Sequence, residues 1–509
     1  MFIRCFAGAV VGIDATIVTV EVNLASGGLG LFLVGLPDNV VKESLERIRS
    51  SFENQQLRWV SKKMTVNLAP ADLRKEGAAF DLPIAIGLLA ATGQVDDKYL
   101  EESLILGELS LDGSVRGITG VLPIVMRAAQ QGFKRVILPE ENALEAAIVE
   151  GIDVVGAESL SQVVEMLNSQ EEFAVTQPLS EDLETTQEGQ YSEDFADVKG
   201  QYQAKRALEI AAAGGHNVIM IGAPGSGKTM LARRMPSILP PLSVGEAVET
   251  TKIHSVAGKL GAHHGVMRSR PFRSPHHLVS QVALIGGGQS PQPGEVSMAH
   301  NGVLFLDELP EFGRNTLEVL RQPMEDKVIT ISRAKYTVEY PANFTLIASM
   351  NPCPCGFHNH PTRECGCSPA MVSRYRGRIS GPLMDRIDLH IEIIPVSLEE
   401  MSRAELAEAS SVVRGRVVAA RAIQSRRFEG VKGVYTNAMM NSKMLREHCT
   451  LSVEARRLLE MAMTRLNLSA RAYDRIIKVA RTIADLDARE EISTQDISEA
   501  ISYRTLDRE

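Results

Sequence analysis

The sequence predicts an α/β protein of several domains, and three observations carry that prediction. The chain has 509 residues, 44% of them apolar, which is too much for one core and calls for about three. Residues 217–234 read in succession as a buried strand, a glycine-rich turn and a helix. Strands and helices alternate over the first third of the chain, whereas beyond residue 397 the pattern is helical alone.

The strand is Asn217-Val218-Ile219-Met220-Ile221, and the helical pattern begins at Met230. Between them, Gly222-Ala223-Pro224-Gly225-Ser226-Gly227-Lys228-Thr229 is a full phosphate-loop pattern. Its glycines let successive N–H groups point at a phosphate chain, and the helix N-terminus adds positive potential. Lys228 is placed to reach the terminal phosphates and Thr229 to offer its hydroxyl to Mg²⁺. Residues Gly222 through Met230 are therefore the expected contacts of a nucleoside triphosphate. A glycine turn before an ordinary helix is the plainer alternative.

The totals narrow the class. A net charge of −9 argues against a surface coated for nucleic acid, though not against a local basic channel. Six cysteines do not make a disulfide-stapled secreted fold, and four of them cluster at 353–367. The N-terminus carries Asp14 and strand-like alternation where a cleavage site would stand, and no run is long and apolar enough to span a bilayer. A cytoplasmic location is expected.

Along the chain, residues 1–168 form a first α+β domain. Its strands are read at Ala15–Asn23, Lys63–Leu68 and Arg135–Pro139, and its helices at Asn39–Phe52 and Asp81–Ala91. Residues 169–190 are an acidic linker inside a stretch, 136–198, without Lys or Arg. Residues 191–396 hold the phosphate loop. Residues 397–509 are helical, clearest at Ser452–Leu466 and Ala470–Leu486, with Ser493-Thr-Gln-Asp capping a last helix.

Further residues complete the second domain. Val303-Leu-Phe-Leu is a buried strand that ends on Asp307-Glu308, one carboxylate for the metal shell and one to activate water. Phe344–Met350 is another strand, ending at Asn351, a sensor of the terminal phosphate or simply a turn asparagine. Lys327–Tyr340 reads as two strands around Arg333-Ala334-Lys335. Cys353, Cys355, Cys365 and Cys367 bring four thiolates together for a closed, structural Zn²⁺ site, with four free thiols as the alternative.

With the phosphate loop, the acidic pair and Asn351 in this order, the chain resembles the AAA+ superfamily. It is most similar to the magnesium-chelatase-like branch, the ComM/YifB family. The resemblance implies ATP with Mg²⁺, an α/β core and a helical lid. It identifies Arg386 in Ser380-Gly-Pro-Leu-Met-Asp-Arg-Ile-Asp as an arginine finger for a neighbouring subunit's nucleotide. A structural ion pair is the alternative there, with Arg374 and Arg378 as rivals. It makes Arg471 a lid arginine sensing the terminal phosphate and Asp197-Val-Lys-Gly-Gln the segment over the adenine. The long stretch holding Arg273-Ser-Pro-His-His and the flexible Ile285–Gly294 resembles a helix-two insert. The hairpin of Arg333 and Lys335 resembles a pore hairpin touching DNA phosphates, or else an ordinary surface hairpin.

The first domain resembles the Lon protease fold in Ala71–Asp81, Gly107–Ile118 and Val136–Asn142. Where that fold carries its serine and lysine, this chain has Ala79 and Leu122, so proteolysis is not expected. The module is similar to the non-proteolytic one of the ComM and RadA helicases, which chelatase motors as a family lack. Arg58, Lys62, Lys63, Arg74 and Lys75 are candidate phosphate contacts, against a plain solvated face. The family implies a hexameric ring driving DNA through its pore, with branch migration during recombination or natural transformation as the task. A chelatase-type motor remodelling a partner protein and a nucleotide-dependent scaffold are the rival expectations.

Overall fold

Alternating apolar residues along the chain's first hundred positions build a sheet with one well-covered face. In the computed structural model, Asp14–Ala25 buries Ala15, Val18, Val20 and Val22 and exposes or half-exposes their neighbours. The residues described are 1–509 apart from 26–27, 29, 74, 76, 170–172, 178–190, 261–264, 289–290, 334–335, 361, 397–406, 467 and 505–509. The sheet runs 30–34, 63–69, 14–25, 2–11, 103–105, 135–139, 153–157, mixing antiparallel and parallel pairs. Helix Asn39–Asn54 starts where Asp38 accepts from the Val41 N–H at 2.8 Å. Helix Asp81–Ala91 is buried on all sides against that sheet. Each of its leucines and isoleucines contributes about 1.5–3 kcal/mol relative to exposure.

A second sheet is parallel throughout, in the order 272–273, 303–306, 345–350, 218–222, 389–393. Val303–Leu306, Thr345–Met350 and Val218–Gly222 are buried at every position, which is why they read as largely apolar runs. Helices Tyr202–Gly214 and Lys228–Ile238 pack on this sheet. The C-terminal ends of its central strands converge, the edge where open α/β sheets take ligands.

Helices Ser410–Arg427, Val453–Arg465, Ala470–Leu486 and Thr494–Ser502 share that core's apolar cluster. The last begins in a capping box of Ser493 and Asp496. The first domain docks on the nucleotide core through Lys252 and Asp14 (2.6 Å), through the Gly120 N–H to the Ser255 carbonyl (3.0 Å), and where Gly12 faces Val338.

Three expectations need correction or restriction. The glycine run after Ile285 is not simply flexible: Gly286–Gly287 pairs antiparallel with Gln292–Pro293. Lys75 is fully buried and donates to the Pro70 carbonyl, so it offers no cation to a phosphate. Arg58, Lys62 and Lys63 are exposed, and Arg74 lies outside the described residues. The hairpin of Val328–Arg333 and Tyr336–Pro341 is anchored by buried Ile329, Ile331, Val338 and Tyr340. Lys335 and the side chain of Arg333 lie outside the described residues.

Candidate nucleotide site and cysteine cluster

The phosphate loop leaves the central strand at Gly222 and turns through Gly225 (φ +77°) and Gly227 (φ +94°), left-handed conformations that glycine adopts without strain. Lys228 opens the following helix with its ammonium turned back over the loop. It donates to the Gly222 carbonyl (2.7 Å) and the Ala223 carbonyl (3.0 Å) and reaches Asn351 Oδ1 at 3.3 Å. Burial lowers its proton affinity, while Asp307 and Glu308 pull it back up. Thr229 Oγ1 donates to Asp307 Oδ2 at 2.9 Å. Sequence-distant Lys228, Thr229, Asp307, Glu308 and Asn351 thus share the edge of the sheet.

Two residues of this cluster were missed by sequence reasoning. Ser349 is buried; its hydroxyl donates to Asp307 Oδ1 and accepts from the Glu308 N–H at 3.2 Å. A hydroxyl near the C-terminal end of a mostly apolar strand was the available signal. His277, noted only as part of an insert, lies with Nδ1 3.6 Å from Glu308 Oε2 and its ring beside that of His276. Glu308 is itself left-handed at φ +53°, uncommon for a residue with a side chain and characteristic of places where a scaffold holds a functional group. The donor set of a hydroxyl and a carboxylate suits a hard, oxygen-seeking cation that keeps part of its water shell, as Mg²⁺ does.

The two assigned arginines stand elsewhere. Arg386 does not present its charge at the surface: it is 8% exposed, pairs with Glu325 at 2.5 Å and donates to the Pro382 carbonyl at 2.6 Å. It borders a cavity of about 510 Å³ with Glu318, Arg321 and Asp326. Its rival Arg378 pairs with Glu311 at 2.9 Å, and Arg374 is exposed. Arg471 pairs with Asp385 at 3.4 Å. Its neighbour on the same helix, Arg475, makes the stronger link between lid and core by pairing with buried Asp388. Burial opposes the charge on Asp388, but Arg475 and His216 prevail and hold its carboxyl below the usual range.

After Asn351 the chain folds into a loop that gathers Cys353, Cys355, Cys365 and Cys367, their sulfurs all within 4.8 Å of one another. The closest pairs are 3.3, 3.6 and 3.7 Å apart. A tetrahedron of about 2.3 Å Zn–S bonds has edges of about 3.8 Å, so the cluster is compatible with zinc. The Phe357 N–H and the neighbouring Cys353 hold the Cys355 thiol down to about 6. Backbone N–H groups oppose a rise at Cys365 and Cys367, but desolvation and the crowded sulfurs of Cys355 and Cys353 push those two thiols up.

A parallel sheet of this order, with its phosphate loop on a central strand, an acidic pair on a neighbour and a helical lid, defines a P-loop nucleotide-binding protein of the AAA+ type. Comparison with known proteins carries this further. Residues 194–401 match the family model described as magnesium chelatase, subunit ChlI, and residues 407–504 match its C-terminal counterpart. Residues 20–142 match a model described as subunit ChlI of Mg-chelatase. Competence protein ComM of Haemophilus influenzae is 44% identical over 99% of this chain and 97% of its own. YifB of Escherichia coli is 43% identical over 98% of this chain and 96% of its own. Lon protease 2 of Bacillus subtilis is 30% identical over 35% of this chain and 32% of its own. The chain belongs to the ComM/YifB family of magnesium-chelatase-like AAA+ proteins, with a Lon-like N-terminal region. The family implies ATP and Mg²⁺. Among the described residues, no helix is long and apolar enough to cross a membrane.

Proposed function

We propose that the chain is a cytoplasmic ATPase that works as a hexameric ring to move DNA, with branch migration in recombination or natural transformation as its task. The observation that best supports hydrolysis is the junction of Thr229, Asp307, Ser349 and Glu308 beside Lys228. The nucleotide phosphates sit on Gly222 to Met230, with Lys228 facing the terminal ones. Thr229 and Asp307 would hold Mg²⁺, which would supply charge withdrawal from those phosphates. Glu308 accepts the proton of the attacking water, and Ser349 fixes both its backbone and the Asp307 carboxylate. Asn351 and Arg471 read the terminal phosphate. Arg386 serves the neighbouring copy's nucleotide, which requires its release from Glu325 as the ring closes. Arg333 and Lys335 at the hairpin contact DNA phosphates. The four cysteines hold a structural Zn²⁺.

The DNA part of this reading is supported by full-length likeness to a protein named for competence. It is tested by measuring ATP turnover with single-stranded, duplex and branched DNA, followed by displacement of a four-way junction. Stimulation and displacement are expected. Turnover that no DNA form stimulates overturns it. A chelatase-type motor that remodels a partner protein is the second reading, favoured by the chelatase descriptions matching all three regions, the first included. Under that reading, or that of a scaffold, DNA changes nothing. Light scattering with nucleotide checks the ring separately.

A further inference from the structure

The cysteine loop lies directly against the phosphate loop. Cys353 is buried and follows Asn351 by two positions, and Asn351 meets the Lys228 ammonium at 3.3 Å. Gly356 sits at φ +83°, and a side chain there would place its first carbon 2.5 Å from Cδ of Pro224, inside the phosphate loop. Gly222, Ala223, Gly356, His358, Arg376 and Glu392 line one small shared cavity of about 80 Å³. The Arg376 Nε–H donates to the Pro352 carbonyl at 3.3 Å, tying the base of the cysteine loop to the helix Pro369–Arg376. From Cys353 to Cys367 the described residues have no helix or strand and only local backbone turn bonds, such as the Gly356 N–H to the Cys353 carbonyl at 3.0 Å. A metal on the four thiols would add the long-range tie.

We propose that the four-cysteine loop, closed by a thiophilic metal, is a clamp that sets the shape of the phosphate loop and thereby the affinity for nucleotide. This rests on the zinc and nucleotide assignments made above. A metal that gathers four thiols removes most of the loop's conformational freedom. The ordered loop then presents a glycine flush against Pro224 on one side and holds Asn351 against Lys228 on the other. Without the metal both contacts relax, and the nucleotide must reorder them as it binds, which weakens its affinity.

The test measures zinc content and the equilibrium binding of a fluorescent ATP analogue for the wild-type chain, Cys365→Ser and Gly356→Asn. Asparagine tolerates the left-handed backbone, so Gly356→Asn changes the contact with Pro224 rather than the turn. The wild type is expected to carry about one zinc per chain. Cys365→Ser should lose the metal and bind nucleotide about tenfold more weakly, while Gly356→Asn should keep the metal and weaken binding to a similar extent. Wild-type affinity in either variant overturns the clamp. A wild-type chain purified without metal overturns the zinc assignment and the proposal with it, while a metal-loaded wild type that binds no nucleotide overturns the nucleotide assignment. Should Cys365→Ser fail to fold, the wild type stripped of metal by a chelator decides, and an affinity equal to that of the metal-loaded chain overturns the clamp.

Discussion

The Lon-like domain and the nucleotide core each place an aspartate where chain segments meet, fully buried in the first and half-buried in the second, and they use it in opposite ways. In the first, Asp81 is fully buried and accepts from Ser44, from Arg47 Nε at 2.7 Å and Nη2 at 3.0 Å, and from the Leu109 N–H at 3.3 Å. Its charge is matched internally by a guanidinium. In the second, the described partners of Asp307 are the hydroxyls of Thr229 and Ser349 and the N–H of Glu308, with no arginine among them. The Lys228 ammonium acts on it through space without a direct hydrogen bond, so its oxygens keep room for a metal cation. A carboxylate locked in direct hydrogen bonds to a guanidinium pins a fold, whereas one whose direct partners are hydroxyls and an N–H at an open sheet edge can hold a metal. The residues around them agree. Leu122, where a Lon-type base would stand, is buried and gives its N–H to Glu145 at 3.0 Å. Lys228, by contrast, stands over the loop that would carry phosphate.

That contrast can be broken by substitution. Asp81→Ala should have the largest effect, leaving Arg47 without its partner and costing about 3–5 kcal/mol in urea unfolding. Nucleotide affinity per folded molecule should stay as it was; a loss of affinity with stability retained would erase the division of labour between the domains. Glu308→Gln should do the reverse, lowering phosphate release by about 100-fold or more while stability and ATP binding persist. Retained full hydrolysis would remove Glu308 from its role.

Asp388→Asn probes a third arrangement, a buried carboxylate that joins core to lid. Its folded proton affinity is depressed, so its stabilisation is present above the ordinary carboxylate value of about 4 and is lost as pH falls below it. The variant should cost ~2 kcal/mol at neutral pH, with the gap to wild type closing in acid. Thermal melts across pH would show a constant gap if Arg475 and His216 were irrelevant. Ser349→Ala is the mildest change. It should slow turnover about fivefold, or ~1 kcal/mol, with little change in melting temperature. A turnover equal to wild type would show that Thr229 alone positions Asp307.

By itself the chain determined what depends on neighbours in sequence. The phosphate loop, the Ser493 cap, the buried runs at Val303 and Thr345 and the paired cysteines each follow from local pattern: glycine conformations, period and spacing. Tertiary structure alone decided what depends on which strands lie side by side. Parallel pairing of Leu306 with Ala348 puts Ser349 beside Asp307, a partner that the strand's own letters mark as polar but do not place. The same holds for Arg386, whose motif is legible but whose charge is turned to Glu325 by a helix about sixty residues upstream. Local sequence fixes backbone shape, because φ and ψ answer to the residue and its neighbours. Where a charge ends up depends on the partner it meets across the fold, because a buried charge is stable only beside one.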